Sequence, residues 1–211
     1  MTTKIAVYNQ ALLDCKQRKL SALTDDAKSR RLCDQVYDGA VEYCLEAALW
    51  KFAIRTQRID YDESFTKKFG YTYQFVKPTD WVKTVAMCSD EYFKSPLIEY
   101  DHEAGYWYAD VQKIYVRYVS NHTDYGLNLG EWPQSFADFV SAHMADKIVG
   151  ELTGSDQISA EVAGVLKTRE GTAKSRDAWN QPQRQPAPGN WSSSRGTGWR
   201  GDRGNRSSLI G

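Results

Sequence analysis

Apolar and polar residues alternate along this 211-residue chain with more than one period. From Ile5 to Lys16 the apolar positions Ile5, Tyr8, Leu12 and Cys15 recur every three or four residues, which places them on one face of a helix. Arg18–Leu23 reads as a connector. Thr24 or Asp25 then predicts an N-cap, and Asp25 and Asp26 in a first turn would suit the helix dipole. The next helix carries the strongest pattern. Leu32, Val36, Ala40, Tyr43, Ala47 and Trp50 form one apolar stripe over about five turns. Asp34, Asp38, Glu42 and Glu46 form a second stripe at spacing four, where like charges repel by about 0.3 kcal/mol per pair.

After Trp50 the period shortens. Phe52, Ile54, Ile59 and Tyr61 suggest extended chain, and Tyr71, Tyr73 and Phe75 alternate strictly. Lys77-Pro78-Thr79-Asp80 predicts a turn before a strand over Trp81–Met87. Residues 99–108 read as two short strands around Gly105, and the β-branched and aromatic run Lys113–Val119 as another strand. Helical spacing returns after Trp132-Pro133, with Phe136, Phe139, Val140, Met144, Ile148 and Leu152 facing one way. Gly154-Ser155-Asp156 breaks it. A fourth helix follows through Ile158, Val162, Val165, Leu166 and Ala173, and Gly171 weakens its second half.

The predicted fold class is α+β: an antiparallel helical bundle with a small, mostly antiparallel β insertion and an extended C-terminal arm. Residues 1–52 supply the N-terminal helices, 53–121 the β insertion, 122–179 the C-terminal helices and 180–211 the arm. The boundary at Asn180 is compositional. The last 32 residues hold six Gly, three Pro and five Ser, with few apolar side chains to offset the entropy of ordering them.

Charge changes this picture. Lys plus Arg and Asp plus Glu both total 27, so the formal charge is zero, which excludes a globally basic nucleic-acid binder. The last 32 residues, however, hold five arginines (Arg184, Arg195, Arg200, Arg203, Arg206) against Asp202 alone, a net +4 that leaves −4 on the rest. No apolar run of membrane-spanning length occurs, and the residues after Met1 run into a polar stretch, so neither a spanning helix nor a signal-peptide core is expected.

Catalysis leaves little trace. The cysteines, Cys15, Cys33, Cys44 and Cys88, form no C-x-x-C pair. Cys33 and Cys44 lie eleven residues apart on one helix, roughly 16 Å along its axis, beyond the reach of a disulfide. Free buried thiols in a reducing compartment are expected. His102, His122 and His143 are scattered, and His143 beside Met144 reads as packing. Neither H-E-x-x-H nor G-x-S-x-G occurs, and Gly196-Thr197-Gly198 opens no helix. Asp60, Asp62, Glu63, Glu99, Asp101 and Glu103 lie in the β region, where two carboxyls about 5–10 Å apart would suit glycoside hydrolysis. Acids near turns of small sheets are, however, usually solvated. No catalytic, cofactor-binding or metal-ligating residue is assigned.

Two segments stand out as interaction surfaces. Trp191, Arg195, Trp199, Arg200 and Arg203 combine aromatic faces with guanidinium groups on a polar segment. They suit docking on an acidic protein surface, or binding single-stranded nucleic acid by charge and stacking. An inert linker is the third reading. Asp34, Asp38, Glu42 and Glu46 are either a solvated face or a face that meets a basic surface on another subunit.

Several segments, in order, carry a resemblance. Tyr8–Leu12 followed by Lys19–Asp25 is similar to an opening helix and "S-L-x-D" link. Cys33 and Tyr37-Asp38 match a helix with "C-x-x-x-Y", and Leu49-Trp50-Lys51-Phe52-Ala53 a "P-W-x-F-A" junction. Phe69–Phe75 with Lys77–Lys83 matches "F-x-Y-x-Y" followed by "L-P-x-D-x-x-R", and Ile148–Ser155 matches the end of a third helix. These resemble the tail tubular protein A family of tailed bacteriophages, the head-to-tail adaptors or head-completion proteins, best known from short-tailed phages. The likeness spans residues 5–179. It departs where Leu49 replaces Pro, Lys77 replaces Leu and Lys83 replaces Arg, where Asp14–Gln17 lacks a Leu-Gly, and where Trp132-Pro133 replaces a Phe-Asp-Pro-like start.

The resemblance implies a structural virion protein at the head–tail junction, assembled in the host cytoplasm. It implies a homo-oligomeric ring, twelve copies in the family, that binds the portal protein and offers the tail nozzle protein its attachment surface. Genome DNA would pass through without sequence-specific binding, with no membrane, cofactor or enzymatic step involved, and the C-terminal arm would reach along the portal. The alternatives are a tail-associated peptidoglycan hydrolase using Glu99, Asp101 or Glu103, and a single-stranded nucleic-acid-binding module acting through the arm.

Overall fold

The structure, a computed structural model, describes residues 2–67 and 70–180. The arm residues Trp191, Arg195, Trp199, Arg200 and Arg203 lie outside the described residues. The elements in chain order are α1 (Lys4–Asp14), α2 (Lys28–Glu46), a 3-10 turn (Lys51–Ala53), β1 (Ile54–Asp60), β2 (Tyr73–Val76), β3 (Trp81–Cys88), β4 (Asp101–Glu103), β5 (Tyr106–Ala109), β6 (Lys113–Ser120), α3 (Gln134–Thr153) and α4 (Asp156–Trp179). Among the described residues these are four helices and two three-stranded antiparallel sheets, a mixed α+β fold.

The helices pack around α3, which touches α1, α2 and α4. Phe136, Phe139, Val140, Met144 and Ile148 are buried as the spacing predicts. Ala137, Ala142, Ala145 and Val149 on its other sides are buried as well. A helix that is apolar nearly all round is an enclosed one. Pro133 precedes its first turn, where a missing N–H costs nothing. Gly154 ends it at φ 58°, a left-handed backbone that glycine adopts without a Cβ clash.

Two expectations for α2 fail. Neither Thr24 nor Asp25 caps it. The helix starts after Ala27 with no side-chain cap, while Asp25 Oδ2 accepts the Ser21 and Ala22 N–H groups at 2.7 and 3.1 Å and closes the connector instead. The apolar stripe is also rotated by about one position. Cys33, Tyr37, Ala40, Val41, Cys44 and Leu45 are buried, Leu32, Val36 and Ala47 lie at the margin, and Tyr43 is 52% exposed. Two cysteines and a tyrosine carry the core face, and hydropathy alone ranks them below Leu and Val. The helix ends at Glu46, so Trp50 reaches the core from the following turn, where its Nε1–H donates to Cys44 O at 2.7 Å. All four cysteines are free and buried.

α4 lies on the outside, with Val162 and Ala173 as its buried apolar residues. Gly171 does not interrupt it. Polar ties hold it in place. Arg169 pairs with the Asp14 carboxylate through both terminal nitrogens, at 2.5 and 2.9 Å, and Lys16 Nζ meets Glu161 at 2.6 Å.

The β strands fall close to their predicted places. One sheet has the order β1-β6-β3, with Ile54 opposite Val119 and Asp60 opposite Lys113. The other has the order β2-β5-β4, with Phe75 opposite Trp107 and His102 opposite Trp107 on the far side. Alternation along β6 splits its side chains. Ile114, Val116 and Tyr118 join Phe75, Trp107 and Ala109 in a core between the sheets, while Val119 packs in the helical core. Phe136 sits where the two regions meet, its ring 4.9 Å from Trp50, 4.8 Å from Phe52 and 5.0 Å from Trp132.

Candidate functional site

The four acids of the α2 stripe, all exposed, differ in their partners within the chain. Asp34 is committed inside the chain. Its Oδ1 accepts the Tyr8 hydroxyl at 2.7 Å, and its Oδ2 pairs with Arg30 Nη1 at 2.5 Å, one turn earlier on the helix. Burial, then the hydrogen bond to Asp34, pushes the Tyr8 phenol well above its ordinary range, so Tyr8 is a permanent donor there. Tyr8 also stacks edge-on with Tyr37 at 5.6 Å, so this group fastens α1 to α2.

Asp38, Glu42 and Glu46 differ. All three are exposed, and none makes an ion pair with a described residue. From first to last they span roughly 12 Å of helix. Next to them Tyr43 presents half its surface while its ring stacks on His143, 4.2 Å away and nearly parallel. His143 is itself buried, and burial, reinforced by Lys147, lowers its pKa. It packs as expected, although its Nδ1 has no partner among the described residues. The end of α2 is anchored to the β region by Lys83, whose Nζ donates to the Glu46 carbonyl at 3.2 Å.

Two buried acids act as hubs, Asp80 within the first sheet and Asp177 between α4 and the 3-10 turn. Asp80, at the end of the Lys77–Asp80 turn, accepts from Arg55 at 2.8 Å, from Ser120 Oγ at 2.5 Å and from the Tyr118 hydroxyl at 3.1 Å. Burial works to raise its pKa, but the hydrogen bonds from Ser120, Arg55 and Tyr118 outweigh it and hold the carboxyl below the usual range. Asp177, in the last turns of α4, accepts the Lys51 N–H at 3.0 Å, and burial raises its pKa. Neither role is legible in the sequence. The turn around Asp80 was legible, but an acid carries no mark of the partner it will find far along the chain.

The acids of the β region separate. Asp60 pairs with Arg58 at 2.7 Å, and Glu99 is exposed on the β3–β4 loop. Asp62, Asp101 and Glu103 line one cleft of about 640 Å³ on the second sheet. The Ser64 hydroxyl and N–H hold the Asp62 carboxyl below the ordinary range, the opposite of the raised pKa a general acid needs. His102 packs edge-on against Trp81 at 5.9 Å. No helix among the described residues is long and apolar enough to cross a membrane.

No protein-family model matches this chain, and no curated protein sequence matches it.

Proposed function

We propose that the chain is a head-to-tail adaptor of a tailed bacteriophage: a virion protein that forms a ring on the portal, gives the tail nozzle its attachment surface and lets the genome pass. The observation that carries this reading is the order of elements. Two helices, two small antiparallel sheets and two further helices follow the order of the family that Trp50-Lys51-Phe52-Ala53 and Lys77-Pro78-Thr79-Asp80-Trp81 resemble. Those residues occupy the places where such motifs would matter for folding. Trp50 is 1% exposed at the helix-to-sheet turn, and Asp80 gathers three donors from β1 and β6 of the first sheet.

The finer architecture belongs to the same proposal: a helical bundle carrying a β insertion, with residues 180–211 as an extended docking arm. A cyclic ring needs two different patches per subunit. The exposed carboxylates Asp38, Glu42 and Glu46 supply one, and Asp34, spent on Tyr8 and Arg30, is withdrawn from it. The arm, through Trp191, Arg195, Trp199, Arg200 and Arg203, would order on acidic portal surface, its indoles as apolar anchors and its guanidinium groups as bidentate partners. No catalytic step is required.

The test is mass measurement of the full chain alone and with the portal protein from the same genome. A discrete ring on the portal is the expected result, with binding lost on deleting the arm, residues 180–211. No assembly with the portal, or unchanged assembly by the shortened chain, overturns the adaptor reading or the arm's role respectively.

A further inference from the structure

Strand alternation gives the second sheet two unlike faces. Phe75, Trp107 and Ala109 point into the core between the sheets. Their neighbours in register, Gln74, Tyr106, Tyr108, Asp101 and Glu103, therefore share the opposite face. That face is not bare. The chain after β1 arches beside it, anchored by the Asp62 N–H donating to Gln74 O at 2.7 Å and by the Phe65 ring edge-on to Tyr108 at 5.8 Å. The result is the cleft of about 640 Å³, with Tyr71 closing it further along. Its size is that of a ligand site rather than of a packing defect.

The chemistry of the walls is one-sided. Phenol rings of Tyr71, Tyr106 and Tyr108 offer π-faces, and Asp62, Asp101 and Glu103 offer carboxylates. Among the described residues lining the cleft none is Lys, Arg or His. The nearby Lys67 ammonium instead donates to Thr72 Oγ1 at 3.3 Å. The carboxylates on these walls disfavour an anion such as a nucleic acid. A neutral saccharide can donate its hydroxyls to the carboxylates but supplies no countercharge. A guanidinium meets both requirements: it forks onto carboxylates through paired N–H donors and stacks on aromatic rings.

The edge of the sheet narrows the ligand further. Among the described strands none pairs with the outer side of β4, so Asp101–Glu103 leaves an open strand edge next to the cleft. An extended peptide that aligns on such an edge drops alternate side chains onto one face. We propose that this cleft and edge form a binding site for an arginine-bearing extended segment of a partner protein, with the guanidinium groups held between the tyrosine rings and Asp101 and Glu103. The site is independent of the adaptor reading, because it lies on the β region and uses neither α2 nor the arm.

Fluorescence anisotropy on the full chain at physiological salt tests it. The probes are a labelled peptide alternating arginine and serine, the same peptide with citrulline for arginine, an oligosaccharide of N-acetylglucosamine, and a single-stranded oligonucleotide. Asp101→Asn and Glu103→Gln are exposed changes that keep side-chain size, and Glu99→Gln is a matched acid outside the cleft. The arginine peptide should bind, the citrulline peptide about tenfold more weakly or worse, and each cleft variant should lose about tenfold while Glu99→Gln changes nothing. No binding of the arginine peptide overturns the proposal. So does equal loss on Glu99→Gln, which would mean diffuse charge attraction, and so does a preference for the saccharide or the oligonucleotide.

Discussion

Asp177 Oδ1 accepts a hydrogen bond from the Lys51 backbone N–H at 3.0 Å, across 126 residues of chain. The contact ties the last turns of α4 to the short 3-10 turn that leads from the helices into the first sheet. It explains why a long, largely exposed helix keeps a fixed end. It also places an acid where burial disfavours its charge.

That burial has a pH consequence. The folded pKa of Asp177 lies above its unfolded value of about 3.9. The stability this group contributes is therefore fully present below that unfolded value and is lost as pH rises through the folded pKa. Asp177→Asn keeps an acceptor for Lys51 and removes the titration. The stability of the wild type relative to Asp177→Asn, read as the difference in urea unfolding midpoints, should fall as pH rises through the folded pKa. Asp177→Ala, which also removes the acceptor, should cost about 1 kcal/mol. Identical pH profiles for wild type and Asp177→Asn would show that the buried carboxyl does not titrate as described.

Asp80 works in the opposite sense. Its pKa is lowered on folding, so its contribution is present above the unfolded value of about 3.9 and fades as pH falls through the folded pKa. Asp80→Ala leaves the Arg55 guanidinium and the Tyr118 and Ser120 hydroxyls without their shared acceptor. A loss of roughly 3 kcal/mol is expected in denaturant unfolding near neutral pH, and it should shrink in acid. A loss that is the same at both ends of the pH range would mean that packing, not the charge, is what Asp80 supplies.

Much of this fold is legible along the chain, and the failures have physical causes. Six strands fall near their predicted positions because a strand buried on one face must alternate. α3 is legible because Phe136, Val140, Met144 and Ile148 keep helical spacing. The core face of α2 differs from the expected one by about one position because Cys33, Tyr37 and Cys44 occupy it, and none of them stands out by hydropathy as strongly as Leu32 or Val36. The acidic stripe was legible as a pattern, but not the fact that Asp34 belongs to Tyr8, twenty-six positions earlier. The hubs Asp80 and Asp177 stayed hidden for the same reason, since a buried acid is defined by its partners. In the β region, alternation predicted the strands but not that Asp62, Asp101 and Glu103 converge on one cleft, which depends on how the sheet pairs.

Gly126 is a position where no side chain fits. A Cβ built there would lie 2.2 Å from the Ser120 carbonyl oxygen and 3.1 Å from Leu45 Cδ1. The Gly126 N–H donates to that same carbonyl, and its own carbonyl accepts the Trp132 indole at 2.8 Å, so the backbone is held on both sides. Gly126→Ala should therefore destabilise by about 2–3 kcal/mol or more, well beyond the ordinary glycine-to-alanine effect. Gly164→Ala, on the exposed side of α4 with nothing within 4 Å, should be neutral or stabilising by up to about 1 kcal/mol. Thermal melts of the two variants give opposite shifts if the close approach at Gly126 is real.

The acidic face of α2 gives the sharpest separation between folding and assembly. Asp38, Glu42 and Glu46 are exposed and repel one another, so replacing all three with lysine exchanges one like-charge row for another. The stability of the isolated chain should change by no more than about 0.5 kcal/mol. Asp34→Ala, in contrast, releases the Tyr8 hydroxyl and Arg30 and should cost about 1–2 kcal/mol. Under the proposed ring, the triple lysine variant presents the wrong sign to its neighbour and should fail to close a ring with the portal present, even where its arm still docks. Asp34→Ala should still assemble wherever it is folded. Sedimentation velocity on the two variants decides the matter. A triple variant that forms rings as readily as the wild type would return Asp38, Glu42 and Glu46 to the status of a solvated face and move the subunit contact elsewhere on the chain.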